Sequence, residues 1–548
     1  MQADLVLTGG PVHLGNAARS RTDAVAVTGE RIVALGADAR ELIGPDTELV
    51  DLAGRLLIPG FQDAHVHPVG GGVELGQCNL AETVEIEEYR RRITAYAAAN
   101  PDAEWITGGG WSMEAFPGGM PEARVLDELI ADRPAYLMNR DHHGAWVNTR
   151  ALELAGIDAG TPDPADGRIE RYADGSPTGM LQEGAMNLVA RLVRPPTEED
   201  LLDGLLRAQA LLHSFGITGW QDALVGDSAL MENVTPAYRL ACERGLLTAR
   251  VVGSLWWQRD QGSEQIQELI ERRAELGGFG PRFRATTVKI MQDGVAENHT
   301  AAMLSPYLRE GLGCACTAGG RHDGISFVDP EALKAHVTAL DREGFQVHFH
   351  ALGDRAVREA LDAIEAALEA NGGHDHRHHL AHLQVVHPDD IPRFRRVCAT
   401  ANLQPLWASH EPQMDELTIP YLGPERASWQ YPFGSLLRAG ATLAAGSDWP
   451  VSSASPILGI HTAVNRIEPG EHHEVFYPEE RLDLGGALAA YTSGSAWVNH
   501  HDETGTIAVG NLADLAVLDR DPFEVPPTEI WQTEVEQTFV GGERVFAR

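Results

Sequence analysis

At 548 residues the chain is several times the roughly 150 residues of a common domain, which excludes a small stapled module and permits a large core. Its 43 basic and 79 acidic residues leave a formal net charge of −36, a sign that repels phosphate backbones and anionic lipid heads, so neither nucleic acid nor a membrane surface is an expected partner. Five cysteines are too few and odd in number for a disulfide framework, and a hydrophobic fraction of 43% is that of a globular protein.

The opening stretch carries no basic region before a short apolar run, and no run of about 18 apolar residues follows, so a cytoplasmic location is expected. The same stretch, ADLVLTGG, AVAVTGERIVALG and TELVDLAGRLLIPG, alternates β-rich runs with turn residues and predicts strands of a small sheet. The C-terminal stretch, TGTIAVGNLADLAVLDRD and TEVEQTFVGGERVFAR, has the same character. The two ends, residues 1–57 and 500–548, are therefore expected to build one domain. Between them, GITGWQDAL, ARVVGSLWW, RATTVKIMQDG, GFQVHFHALGD, RHHLAHLQVV, ATANLQPLW and ATLAAGSDWPV recur beside helical patterns. That alternation predicts parallel βα units closing into a (β/α)8 TIM-type barrel over 58–499, with chemistry at the strand C-termini. The stretch from about Gly70 to Pro196 is too long for one βα connection and is expected to be an insertion over the barrel mouth.

In PGFQDAHVHP the two-residue period of a strand puts Asp63, His65 and His67 on one face, where two imidazoles can grip one metal ion. His350 ends GFQVHFH, and His382 lies in HHLAHLQ; each would project from a separate strand end. His348 shares the face of His350 and makes a second HxH, a role left open. His374, His376, His378 and His379 read as a loop entering a strand, although His378 shares the face of His382. Asp448 stops the apolar strand AAGSDWPV, where a carboxylate needs a metal, a proton-transfer role or a cap. Lys289 and Lys334 are the only lysines, and Lys289 sits among the apolar neighbours of TTVKIM, a costly place for a cation. Cys314 and Cys316 form CxC without a companion pair and read as free thiols. His143, Asn148 and Glu183 could reach a substrate or act as caps. Trp111, Trp256, Trp257 and Trp407 could line a pocket or fill the core.

The ordered motifs PGFQDAHVHP, TVKIMQDG, HFHALGD, HLAHLQ and AAGSDWPV resemble the amidohydrolase superfamily. GAWVNTRALELAGI, DGSPTGMLQEGA and GITGWQDA resemble its branch that includes N-substituted formamide deformylases. The resemblance implies a metal-bearing barrel flanked by a small β-sandwich from both termini. His65 and His67 would bind a first ion and His350 and His382 a second, with Asp448 beside the first and Lys289, carboxylated, as the bridge. It implies zinc first, with manganese, iron or cobalt also compatible, and two ions per chain. The expected function is cleavage of an amide carbon–nitrogen bond in a small molecule, an N-substituted formamide or N-acyl amine, by metal-activated hydroxide. Asp448 would shuttle the proton, and Trp111, His143, Glu183 and Trp407 would contact substrate. A mononuclear heterocycle deaminase and a non-catalytic binding protein are the alternatives. A homo-oligomer is compatible with the sequence.

Overall fold

The computed structural model describes residues 2–81, 83–164, 166–228, 233–308, 322–471 and 474–548. Cys314 and Cys316 lie outside these residues. Eight parallel strands form the central sheet: β1 (Phe61–Val66), β2 (Ile217–Val225), β3 (Arg250–Trp256), β4 (Phe283–Met291), β5 (Gln346–Ala351), β6 (His379–His382), β7 (Thr400–Leu403) and β8 (Thr442–Ala445). They pair in chain order from β1 to β8. The strand interiors are buried on both faces, as expected of a parallel sheet whose outside is clothed in helices. Helix α1 (Glu198–Ser214) begins on a capping box in which Thr197 and Asp200 bond each other's backbone N–H, and it buries Leu201, Leu202, Leu205 and Leu212. Helix α2 (Pro330–Arg342) is capped by Asp329, and α3 (Asp354–Asn371) packs against it.

The barrel is closed beyond its last ladder. The Asp448 N–H donates to the His65 carbonyl at 2.8 Å and the His67 N–H to the Trp449 carbonyl at 2.9 Å. The Ser447 N–H reaches both Asp63 carboxylate oxygens at 3.1 Å. Gly446 makes this approach possible, because a Cβ there would lie 2.5 Å from the His65 nitrogen. The closure therefore knits together the ends of β1 and β8, which carry His65, His67 and Asp448.

Strands from both chain ends share one hydrogen-bonded sheet of eight strands, in which Leu56–Pro59 pairs with Leu515–Leu518. Leu5, Leu7, Val25, Leu57, Leu515 and Phe539 form the core of this sheet. The C-terminal share reaches back before its first regular strand, since Ile507 and Ala513 sit in this core and Leu512 bridges to Arg31. Residues 505–514 turn rather than extend, since Gly505 and Gly510 adopt φ of 73° and 96°, values that interrupt a strand.

The stretch 78–183 builds a separate six-stranded sheet whose aromatic core contains Tyr89, Trp111, Phe116 and Trp146. It meets the loops that follow the C-terminal end of β4: Asn298 Nδ2 donates to the His143 carbonyl at 3.2 Å and Thr300 Oγ1 to Glu183 Oε1 at 2.8 Å. The insertion thus stands over the barrel's C-terminal face. No helix among the described residues is long and apolar enough to cross a membrane.

Candidate metal centre

Strand alternation sends His65 inward from β1, and His67 follows where the strand gives way to a short helix at Pro68. Their Nε2 atoms each lie 3.2 Å from Asp448 Oδ1, while His382 Nδ1 lies 3.8 Å from Asp448 Oδ2. His382 is ring to ring with both His65 (4.7 Å) and His350 (4.5 Å). One carboxylate therefore sits among imidazoles from β1, β5 and β6. Asp448 and His382 take φ of 56° and 81°, conformations that non-glycine residues avoid unless the surroundings enforce them.

The cluster's own hydrogen bonding leaves several donors and acceptors for a cation. Both ring nitrogens of His382, the Nδ1 atoms of His67 and His350, and Asp448 Oδ1 are buried without a hydrogen-bond partner among the described residues. Orphaned buried donors and acceptors are costly. His65, His67 and Asp448 offer three ligand atoms within 4.8 Å of one another, a nitrogen–oxygen set suited to zinc and similar divalent ions. A divalent cation fits this cluster. Burial pushes the Asp448 carboxyl up, but the pull of His65, His67 and His382 outweighs it and holds the group ionised, well below the usual carboxylate range.

Lys289, on β4, is 3% exposed. Its Nζ lies 3.4 Å from His348 Nε2, and His348 Nε2 is 2.8 Å from His65 Nδ1. Burial brings the Lys289 amine down to about 7, so a neutral, nucleophilic amine is populated near neutral pH. His348 stands behind His65, where it can set the His65 tautomer when a cation is bound. A His65 Nδ1–H donating to His348 leaves the His65 Nε2 lone pair facing Asp448, the tautomer a metal ligand needs. The second HxH was the only sequence signal for this.

His143 sits beside the cluster, its ring 5.5 Å from that of His350. Its Nδ1 is 3.0 Å from both oxygens of Glu183, whose Oε1 also accepts from Thr300. Burial lowers the His143 pKa, but the charge and hydrogen bonding of Glu183 dominate and lift it to about 9. Trp407, half-buried, stacks on His382 at 5.2 Å with planes 3° apart. Trp111 departs from its expected place on a pocket wall. It is fully buried, its indole N–H donates to the Leu137 carbonyl at 2.8 Å, and it packs against Phe116 and Trp146. The buried polar partner and aromatic neighbours make it the insertion's core.

Other candidates are structural. Asn148 caps the helix Thr149–Ala155. His378 is engaged at both nitrogens, by the Val347 N–H at 2.9 Å and Asp341 at 3.0 Å, and so has no lone pair to spare. Trp256 and Trp257 are buried. Asp293 and Gln404 were not singled out by sequence. The Asp293 carboxylate accepts from the N–H groups of Ala302, Leu352 and Gly353 at 2.8–3.0 Å, and Gln404 accepts the His382 N–H at 2.7 Å. Both fix the backbone that carries His350 and His382. Buried amide and carboxylate braces of this kind have no spacing signature.

A model of the amidohydrolase family matches residues 48–546. The chain belongs to the amidohydrolase family. The plant protein LONG AFTER FAR-RED 3 of Arabidopsis thaliana is 30% identical over 99% of this chain and 92% of its own length. The N-substituted formamide deformylase of Arthrobacter pascens is 27% identical over the whole chain and 98% of its own length. An uncharacterized metal-dependent hydrolase from Pyrococcus furiosus superposes with a TM-score of 0.71 at 25% identity, covering 95% of this chain and 100% of that one. This amidohydrolase therefore shares the barrel with metal-dependent hydrolases, and its polar cluster lies where such a barrel does its chemistry, at the strand C-termini.

Proposed function

We propose that this amidohydrolase cleaves the carbon–nitrogen bond of a small amide, an N-substituted formamide or N-acyl amine, at a two-ion centre. The observation that carries the reading is the convergence of three histidines, His65, His67 and His382, on the ionised Asp448, with His350 ring to ring with His382 and the Nδ1 of His67 and both nitrogens of His382 without a hydrogen-bond partner. His65, His67 and Asp448 would hold one ion and His350 and His382 the other. Lys289, carboxylated on Nζ, would bridge them; the lowered amine pKa favours that carbamate, because only the neutral amine adds to carbon dioxide. Divalent ions supply Lewis acidity, acidifying water toward neutral pH and polarising a carbonyl.

The side chains account for the rest. Asp448 accepts the proton of the attacking water and returns it to the leaving nitrogen, which departs as an amine only once protonated. His143, held by Glu183 through Nδ1 and lying beside His350, would orient the substrate. Trp407 walls the cleft with an apolar face. The family relative named a formamide deformylase supports a compact acyl group.

The test is metal stoichiometry. Elemental analysis of protein saturated with zinc and bicarbonate is expected to give two ions per chain, and Lys289→Met to lose at least one. A single ion in both proteins would remove the bridged centre from the proposal.

A further inference from the structure

A cavity of about 310 Å³ opens at the opposite end of the barrel from the metal cluster, at the N-terminal ends of β3 and β4, where three arginines, Arg250, Arg282 and Arg284, line it. In the ladder Val251 faces Phe283, which sets Arg250 beside Arg282. The side-chain period of two puts Arg282 and Arg284 on one face, with Phe283 turned into the core. Neighbouring like charges across strands are destabilising unless something compensates them.

The compensation present is uneven. Arg250 forms a bidentate pair with Asp514 at 2.7 and 3.0 Å. Arg282 donates to the Thr248 carbonyl at 2.5 Å and lies 3.6 Å from Glu30. Arg284 donates only to the carbonyls of Asn499 and His500, its Nε is buried without a partner, and among the described residues no carboxylate lies at ion-pair distance from it. The two carboxylates on the cavity wall do not fill that role, since Asp502 pairs with Arg377 at 2.6 Å and Glu503 with Arg31 at 3.0 Å. A partly desolvated guanidinium held by carbonyls, with Asp502 acting on it only from beyond ion-pair distance, is an incompletely compensated charge.

We propose that this cavity is a binding site for a small molecule bearing an oxyanion, a phosphate or a carboxylate, which completes the counter-charge of Arg284 with Arg282 beside it. The planar guanidinium fork matches both groups bidentately. The volume exceeds that of a bare ion and matches the lower range of small-metabolite pockets. The wall is built in advance: His501 Nδ1 lies 2.9 Å from Gln62 Oε1, and Gln62 Nε2 donates to Thr504 Oγ1 at 2.5 Å.

The zinc-loaded chain would be titrated with sodium phosphate and, separately, with sodium malonate, at constant ionic strength set by chloride, following the thermal midpoint and the heat of binding. Saturable binding of either anion is expected, and the stronger of the two identifies the group. Arg284→Met is expected to weaken it about tenfold, as loss of a charge-assisted bidentate contact does. Because Arg284 also braces two carbonyls, Arg282→Gln is the second variant, expected to weaken binding severalfold. Absence of saturation beyond the chloride control would overturn the site. Binding unchanged in Arg282→Gln and in any folded Arg284→Met would also overturn it, since the anion would then sit at the metal cluster.

Discussion

In the proposed reaction Asp448 is the residue on which the chemistry would turn. Asp448→Asn keeps the shape and one oxygen ligand, but an amide cannot shuttle a proton. Turnover is expected to fall by roughly 10²- to 10⁴-fold, the usual contribution of general acid–base catalysis, with the fold intact by circular dichroism and metal content largely kept. Near-normal turnover in metal-replete variant would assign the proton to another group. In the proposed centre His348 would act through His65 rather than on substrate. Removing it in His348→Ala is expected to weaken metal retention by about 10- to 100-fold, the effect of losing a partner that orients a ligand. A chelator competition checks this, and equal retention in variant and wild type would show that His65 needs no brace.

At the level of elements, much was legible and some was not. The strand period placed His65 inward, and apolar runs ending in His350, His382 and Asp448 marked separate strand ends; the structure brings these residues to one point. Trp111 was misplaced because a tryptophan after GGG reads alike on a pocket wall and in a core, and only the tertiary fold supplies Phe116 and Trp146. The pairing of His143 with Glu183 was equally hidden, as it joins the turn before one strand of the insertion to the end of another, 40 residues apart in sequence. His213, at the end of α1, donates or accepts at both ring nitrogens, at 2.8 Å to the Ile217 carbonyl and 2.8 Å to Thr248, tying the helix to β2. Burial lowers its pKa to about 4. The unfolded chain, with an ordinary histidine near 6.5, therefore binds the proton more readily. The stability His213 gives is full above pH 6.5 and falls as pH drops toward 4, by about 2 kcal/mol at pH 5. His213→Gln is expected to be less stable than wild type at pH 7 yet to lose less on acidification to pH 5, read from urea midpoints. Parallel losses in both proteins would show that other groups set the acid sensitivity.

Across the whole molecule, the barrel, the sheet from both chain ends and the insertion divide the work. Closure of β1 onto β8 holds the polar cluster, the shared sheet ties the chain ends to Asp514 and β1, and the insertion brings His143 and Glu183 over the opening. The acidic surface is a minor factor in selectivity, since charges are screened beyond about 8 Å at physiological salt. On the proposed function, Trp407 stacked on His382 would favour a compact acyl group joined to an apolar or aromatic amine. The most direct test is kcat/KM of the zinc-loaded protein on N-formyl, N-acetyl and longer N-acyl derivatives of one aromatic amine, beside a dipeptide and an aminated heterocycle. The formyl compound is expected to be cleaved fastest, with release of the free aromatic amine. Faster cleavage of the dipeptide, or ammonia released from the heterocycle alone, would contradict the proposed function.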